Sequence, residues 1–107
     1  MTDDLHTIDL NCDLGEGGEY DAVIMPLVSS ANIACGEHAG NLKSIQETVS
    51  RARHHATAIG SHPGHSDPKE FGRRPHPINP DAAADLVLNQ VARIAAVAGD
   101  DLHHVKL

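Results

Sequence analysis

Three short stretches of this chain end alike, and their recurrence limits the fold more than any other feature. Asn11-Cys12-Asp13-Leu14-Gly15-Glu16, Ser29 to Gly40 (SSANIACGEHAG) and Gly60-Ser61-His62-Pro63-Gly64-His65 each pass from an apolar or alternating run into carboxylate, amide or imidazole side chains beside glycine. Glycine has no Cβ and lets backbone approach whatever those side chains hold. Thr7 to Asp13 alternates, with Ile8, Leu10 and Cys12 on one face, and period two predicts a strand. Ser30 to Cys35 and Thr57 to His62 read as two more strands, and His103 to Leu107 as a fourth.

Helical periods fill the gaps. Asp21 to Val28, carrying Pro26, predicts a turn or two of helix. From Asn41, a good N-cap, Leu42, Ile45, Val49, Ala52 and Ala56 recur at steps of three and four. Glu47 and Arg51 stand one turn apart, a favourable pairing, and His54 and His55 fall in the last turn, where positive charge suits the helix dipole. Asn79-Pro80 opens another helix with proline at its first position. Its predicted stripe is Ala84, Val87, Leu88, Val91, Ile94, Ala95 and Ala98, closed by Gly99. Residues 63–79 form a proline-rich loop around Gly72-Arg73-Arg74, and loops of that length are commonly functional or disordered.

Strands alternating with helices predict an α/β fold with a parallel sheet built by right-handed crossovers. Ligand-binding groups then gather at the C-terminal strand ends, and Asp13, His38 and His62 all fall at or just past such ends. Together they offer either a divalent metal site with positions open to water and substrate, or a carboxylate orienting a histidine general base. Turn chemistry is the plainer reading of Asp13 and Glu16, and backbone satisfaction the plainer one of His62. Cys12 and Cys35 read as small buried apolar residues rather than nucleophiles. Arg73 and Arg74 are suited to clamp a carboxylate or phosphate, and Lys106 ends the last strand beside the same mouth.

Composition removes other classes. A formal charge of −7 with one Tyr and one Phe suits no nucleic-acid binder, which needs clustered basic residues or stacking platforms. Met1 to His6 lack the basic and apolar regions of a signal peptide, and no membrane span is expected from the apolar runs. The expectation is a cytoplasmic protein with reduced cysteines.

Several long motifs then resemble a known family. Ile8-Asp9-Leu10-Asn11-Cys12-Asp13-Leu14-Gly15-Glu16, Ser30-Ala31-Asn32-Ile33-Ala34-Cys35-Gly36, His38-Ala39-Gly40, Gly60-Ser61-His62-Pro63-Gly64, Phe71-Gly72-Arg73-Arg74 and Val105-Lys106 resemble, in order, the LamB/YcsF family of 5-oxoprolinase A subunits. The resemblance implies a β/α barrel of the glycoside hydrolase/deacetylase-like type. It implies ATP-dependent opening of 5-oxoproline (pyroglutamate) to L-glutamate, with B and C subunits as partners and ATP with Mg2+ as co-substrate. By matching position it makes Asp13, His38 and His62 the reactive cluster, with the same three as metal ligands if an ion is held. It makes Asn11, Asn32, Arg73 and Arg74 substrate or phosphate contacts.

The sequence departs from the family's pattern in places. Glu37 stands where the family has an aromatic, Asn41-Leu42 replaces Asp-Pro, and His65-Ser66 replaces Tyr-Pro. The family continues past Val105-Lys106 with Pro-His-Gly and further strands. A complete barrel takes about 250 residues, so the expectation is a single partial domain over residues 1–107, an N-terminal, truncated portion with about four parallel strands. Either another chain or self-association supplies its missing neighbours, or the fragment is marginal in stability. Two rival readings stand beside the ATP-dependent one: a metal-dependent amide hydrolase or deacetylase, and a non-catalytic remnant that binds partner subunits.

Overall fold

A computed structural model describes residues 7–107; the acidic, polar Met1–His6 segment lies outside the described residues. Four strands, β1 (Asn11–Leu14), β2 (Ser30–Ala34), β3 (Ala58–His62) and β4 (Leu102–Val105), form one sheet in the order β1-β2-β3-β4, every neighbouring pair parallel. The connections are α1 (Asp21–Ile24) with a 3-10 turn over Met25–Leu27, α2 (Leu42–His54), and α3 (Pro80–Ala98) preceded by the long loop. This is the α/β class with four parallel strands that alternating periods predict.

The first strand begins later than its alternation predicts. Thr7 to Leu10 are exposed and outside regular structure, although the Leu10 carbonyl still accepts from the Ser29 and Ser30 amides at 2.8 and 3.2 Å. Alternation alone cannot mark where a partner strand begins.

Alternation does sort the two sheet faces. Leu14, Ala31, Ile33 and Ile59 join Met25, Ile45, Val49, Ala52, Ile94 and Ala98 in the core between sheet and helices. Helix α2 packs on β2 and β3, α3 on β3 and β4, and the two helices touch. The register row Asp13↔Asn32↔Gly60↔His104 gathers polar residues and glycine. A β-bulge on β4 pairs Ile59 with Leu102 but Gly60 with His104. The extra residue swings the His104 ring over Gly60, into space that a Cβ would fill.

Asn41 caps α2 as its sequence predicts, in a reciprocal box with Ser44: each side chain serves the other's backbone N–H, at 2.9 and 2.8 Å. Ile45, Val49 and Ala52 are buried, whereas Leu42 and Ala56 at the ends of the predicted stripe are exposed. Glu47 pairs with Lys43 at 3.7 Å, one turn before it, rather than with Arg51. In α3 the buried line is Gln90, Ile94 and Ala98, and Leu88 is 65% exposed. The stripe read from apolar residues is rotated because a polar residue, Gln90, takes a core position. Pro80–Asp101 is long and apolar enough to cross a membrane by length and composition alone. Here it lies against the sheet and carries Asp81, Asp85 and Arg93.

Candidate active site

The sheet's C-terminal edge opens into a cleft of about 460 Å³. Asp13 closes on it from β1, Glu16 from the turn after β1, His38 from the loop after β2, His62 from the end of β3, and Lys106 from just past β4. Phe71, Ile78, Leu86 and Val87 form an apolar wall. Strand ends thus deliver the polar groups, and the loop with α3 delivers the greasy side.

The residues form two linked hydrogen-bonded groups. His38 Nε2 and Glu16 Oε2 are 2.7 Å apart, so with Glu16 ionised the imidazole donates from Nε2. His62 meets both carboxylates, its Nε2 lying 3.4 Å from Asp13 Oδ2 and 3.6 Å from Glu16 Oε2. His62 Nδ1 is 2.8 Å from the Lys106 carbonyl. A carbonyl only accepts, so Nδ1 carries the proton and the Nε2 lone pair of the neutral ring points at the cleft. The two rings meet edge to face at 4.7 Å.

Asp13 is held by three neighbours. Lys106 Nζ donates to both of its oxygens at 3.2 and 3.0 Å, and Asn32 Nδ2 donates at 3.1 Å. Partial burial works to raise its pKa, but the Lys106 and Asn32 bonds, with the positive charge that His62 carries once protonated, outweigh that and hold the carboxyl below the ordinary range. Asn32 is 1% exposed. It also donates to Asn11 Oδ1 at 3.0 Å and accepts from His104 Nε2 at 2.7 Å. Burial within the sheet pushes the His104 pKa down, as does the neighbouring His103.

The seven residues expected at the site separate into distinct places. Asp13, His38, His62 and Arg73 line the cleft. Asn32 lies beneath it as the buried link between β1 and His104, and the exposed Asn11 reaches it only through Asn32. Arg74 does not line the cleft: its fork grips both Asp67 oxygens at 2.9 and 2.8 Å. That grip holds the buried Asp67 carboxyl below its ordinary range and folds the loop on itself. Of the two arginines, Arg73 is the one that lines the cleft.

Glu16 is the residue that strand-end reasoning underrates. Gly15, at φ +75°, turns the chain just past β1 and is fixed by the Asp21 carboxylate accepting its N–H at 2.8 Å; that turn brings Glu16 back to His38. Among the described residues, the metal-capable atoms that gather together are therefore those of Glu16, His38 and His62, all within 4.8 Å of one another. One carboxylate and two imidazoles suit a divalent ion chemically, and His62 already has its tautomer set for ligation. His38 fits less well. Ligation through Nε2 would move its proton to Nδ1, which is buried and has no hydrogen-bond partner.

The cysteines stay out of this chemistry. Cys35 is fully buried with Sγ 3.2 Å from Ser61 Oγ, and Cys12 is half-buried. Burial pushes both thiols above their ordinary pKa, the wrong direction for a nucleophile. Glu37, the residue in place of an aromatic, is paired with Arg93 of α3 at 2.6 Å.

The family model for LamB/YcsF matches residues 8–107. The chain belongs to the LamB/YcsF family. Among its relatives are the 5-oxoprolinase A subunit of Shouchella clausii, 49% identical over 95% of this chain and 44% of that protein, and that of Bordetella pertussis, 47% identical over 92% and 42%. The crystal structure of a lactam utilization protein from Thermus thermophilus superposes with a TM-score of 0.88 at 41% identity, covering 94% of this chain and 44% of that one. The chain thus spans less than half the length of these relatives. All the cleft residues named above lie inside the region matched to the family.

Proposed function

We propose that this LamB/YcsF chain serves the ATP-dependent opening of 5-oxoproline to L-glutamate as an A-type component, working with B and C subunits in the cytoplasm. The observation that carries the reading is the convergence of Glu16, His38, His62 and the Asp13–Lys106 pair on one cleft with an apolar wall, in a chain whose relatives are named as 5-oxoprolinase A subunits.

A lactam is a poor electrophile, so the reaction needs an activated carbonyl, an activated water and a proton for the departing nitrogen. ATP with Mg2+ is the co-substrate that would activate the carbonyl oxygen as a phosphate ester. That transfer would release ADP. One water then adds to the carbonyl carbon and the ring C–N bond breaks as the nitrogen takes a proton, leaving an acyl phosphate, and a second water cleaves the acyl phosphate to carboxylate and phosphate. His62 Nε2 is placed to accept the proton of the attacking water, because its lone pair faces the cleft. Its charge would then be stabilised by Asp13 and Glu16. Arg73 and Lys106 supply positive charge for the substrate carboxylate, and the apolar wall suits the ring methylenes.

The donor trio Glu16, His38 and His62 favours a second reading, a metal-dependent amide hydrolase. Glutamate release from 5-oxoproline, measured for the chain alone and with B and C subunits, separates the two. Release that requires ATP and survives chelation after Mg2+ is restored supports the first reading. Release without ATP that returns only with a transition metal supports the second, and no release under any condition sinks both.

A further inference from the structure

We propose that Gln90 of α3, a residue outside the cleft, is a positioning residue that sets the place of the His38 ring. Gln90 is 1% exposed and lies in the core-facing line of α3 with Ile94 and Ala98. A buried amide is costly unless its donor and its acceptor are both used. Here both are spent on a single residue: Gln90 Oε1 accepts from the Gly64 N–H at 2.9 Å, and Gln90 Nε2 donates to the Gly64 carbonyl at 2.7 Å. The side chain thereby acts like one residue of a neighbouring strand and fixes the backbone just after His62-Pro63.

That backbone is the wall on which His38 rests. A Cβ on Gly64 would stand 2.7 Å from His38 Nδ1 and 2.9 Å from its Cβ and Cγ, so only glycine leaves room for the ring. The Nδ1 atom is buried without a polar partner. The ring is therefore located by this wall on one edge and by Glu16 on the other. One turn along α3, Arg93 donates to the Cys35 carbonyl at 3.0 Å and to Glu37 at 2.6 Å, tethering the loop that carries His38. A single helix thus registers the loops after β2 and β3 against each other, and with them the 4.7 Å contact of the two imidazoles.

The test uses Gln90→Met, which keeps length and apolar bulk but removes both hydrogen bonds, and Gly64→Ala, which pushes on His38 without touching Gln90. In the uniformly nitrogen-15-labelled chain, both variants are expected to shift the His38 and His62 ring signals while backbone amide signals of β1 and β2 stay in place. The Gly64 amide should exchange about tenfold faster in Q90M, the loss of one hydrogen bond. Where the cluster serves the lactam chemistry proposed above, on which this last step rests, Q90M lowers kcat and leaves KM unchanged. The ring signals report on the clamp whether or not that chemistry is right. Unchanged His38 and His62 signals in a folded Q90M overturn the proposal. Should Q90M fail to fold, Gln90→Glu, which keeps an acceptor for the Gly64 N–H but removes the donor to the Gly64 carbonyl, decides instead: shifted ring signals uphold the proposal, and unshifted ones overturn it.

Discussion

His62 is controlled by main chain, since the backbone carbonyl at position 106 decides which of its nitrogens faces the cleft. His62→Ala is expected to cut glutamate release by about 100-fold or more, the scale of a lost acid–base group. Its cost in urea-measured stability should be about 1 kcal/mol, one hydrogen bond. Equal loss of fold and activity would make His62 structural. Lys106 offers a separate test. Removing its ammonium as Lys106→Met takes away the two bonds that oppose the burial of Asp13, so the Asp13 carboxyl should titrate at higher pH, followed by its carboxyl carbon resonance. An unmoved titration would mean that Asn32 and His62 suffice. At this scale the sequence offered Asp13, His38 and His62 through their strand-end positions, but not Glu16. Nothing in the order Asp-Leu-Gly-Glu says that a glycine at positive φ will return the glutamate to a histidine 22 residues later.

Helix α3 is the element whose local pattern and tertiary role diverge most. Counting apolar residues places Leu88 on the buried face, whereas the structure leaves it 65% exposed and buries Gln90 instead. Ile94→Ala is expected to cost about 2–5 kcal/mol in chemical denaturation, and Leu88→Ala within about 0.5 kcal/mol. The reverse order would restore the stripe read from the sequence. Helix α2 behaves more simply. Asn41 caps it through Ser44, a local bond set worth about 1 kcal/mol, and the middle of its predicted stripe, Ile45, Val49 and Ala52, is buried, joined by Thr48. A cap and a period are properties of neighbours in sequence, so they can be read there.

At the scale of the whole molecule, four carboxyls among the described residues lie below their ordinary range: Asp9 beside Ser30 and Ser29, Asp13 despite its burial, Glu37 beside Arg93 and Asp67 beside Arg74. A depressed carboxyl contributes stability that is complete above its unfolded pKa and is lost as pH falls through the folded one. The half-buried His104, whose pKa burial pushes down, likewise loses its contribution once the unfolded chain takes up a proton that the folded chain resists. The melting temperature should therefore fall first below about pH 6.5 and again, more steeply, below about pH 4. His104→Asn should remove much of the first step, and a flat profile across both ranges would refute the assignment. By itself the sequence determined the order of elements, the parallel α/β class, the caps and the strand ends at which polar residues emerge, because these follow from spacing and turn residues within short windows. Only the tertiary structure decided that Glu16 rather than Asp13 meets His38, that Arg74 is spent on Asp67 while Arg73 faces the cleft, and that Gln90 enters the core. Those outcomes depend on how the loops, strands and helix settle against one another, which brings together residues 7 to 26 positions apart and leaves no trace in the local pattern.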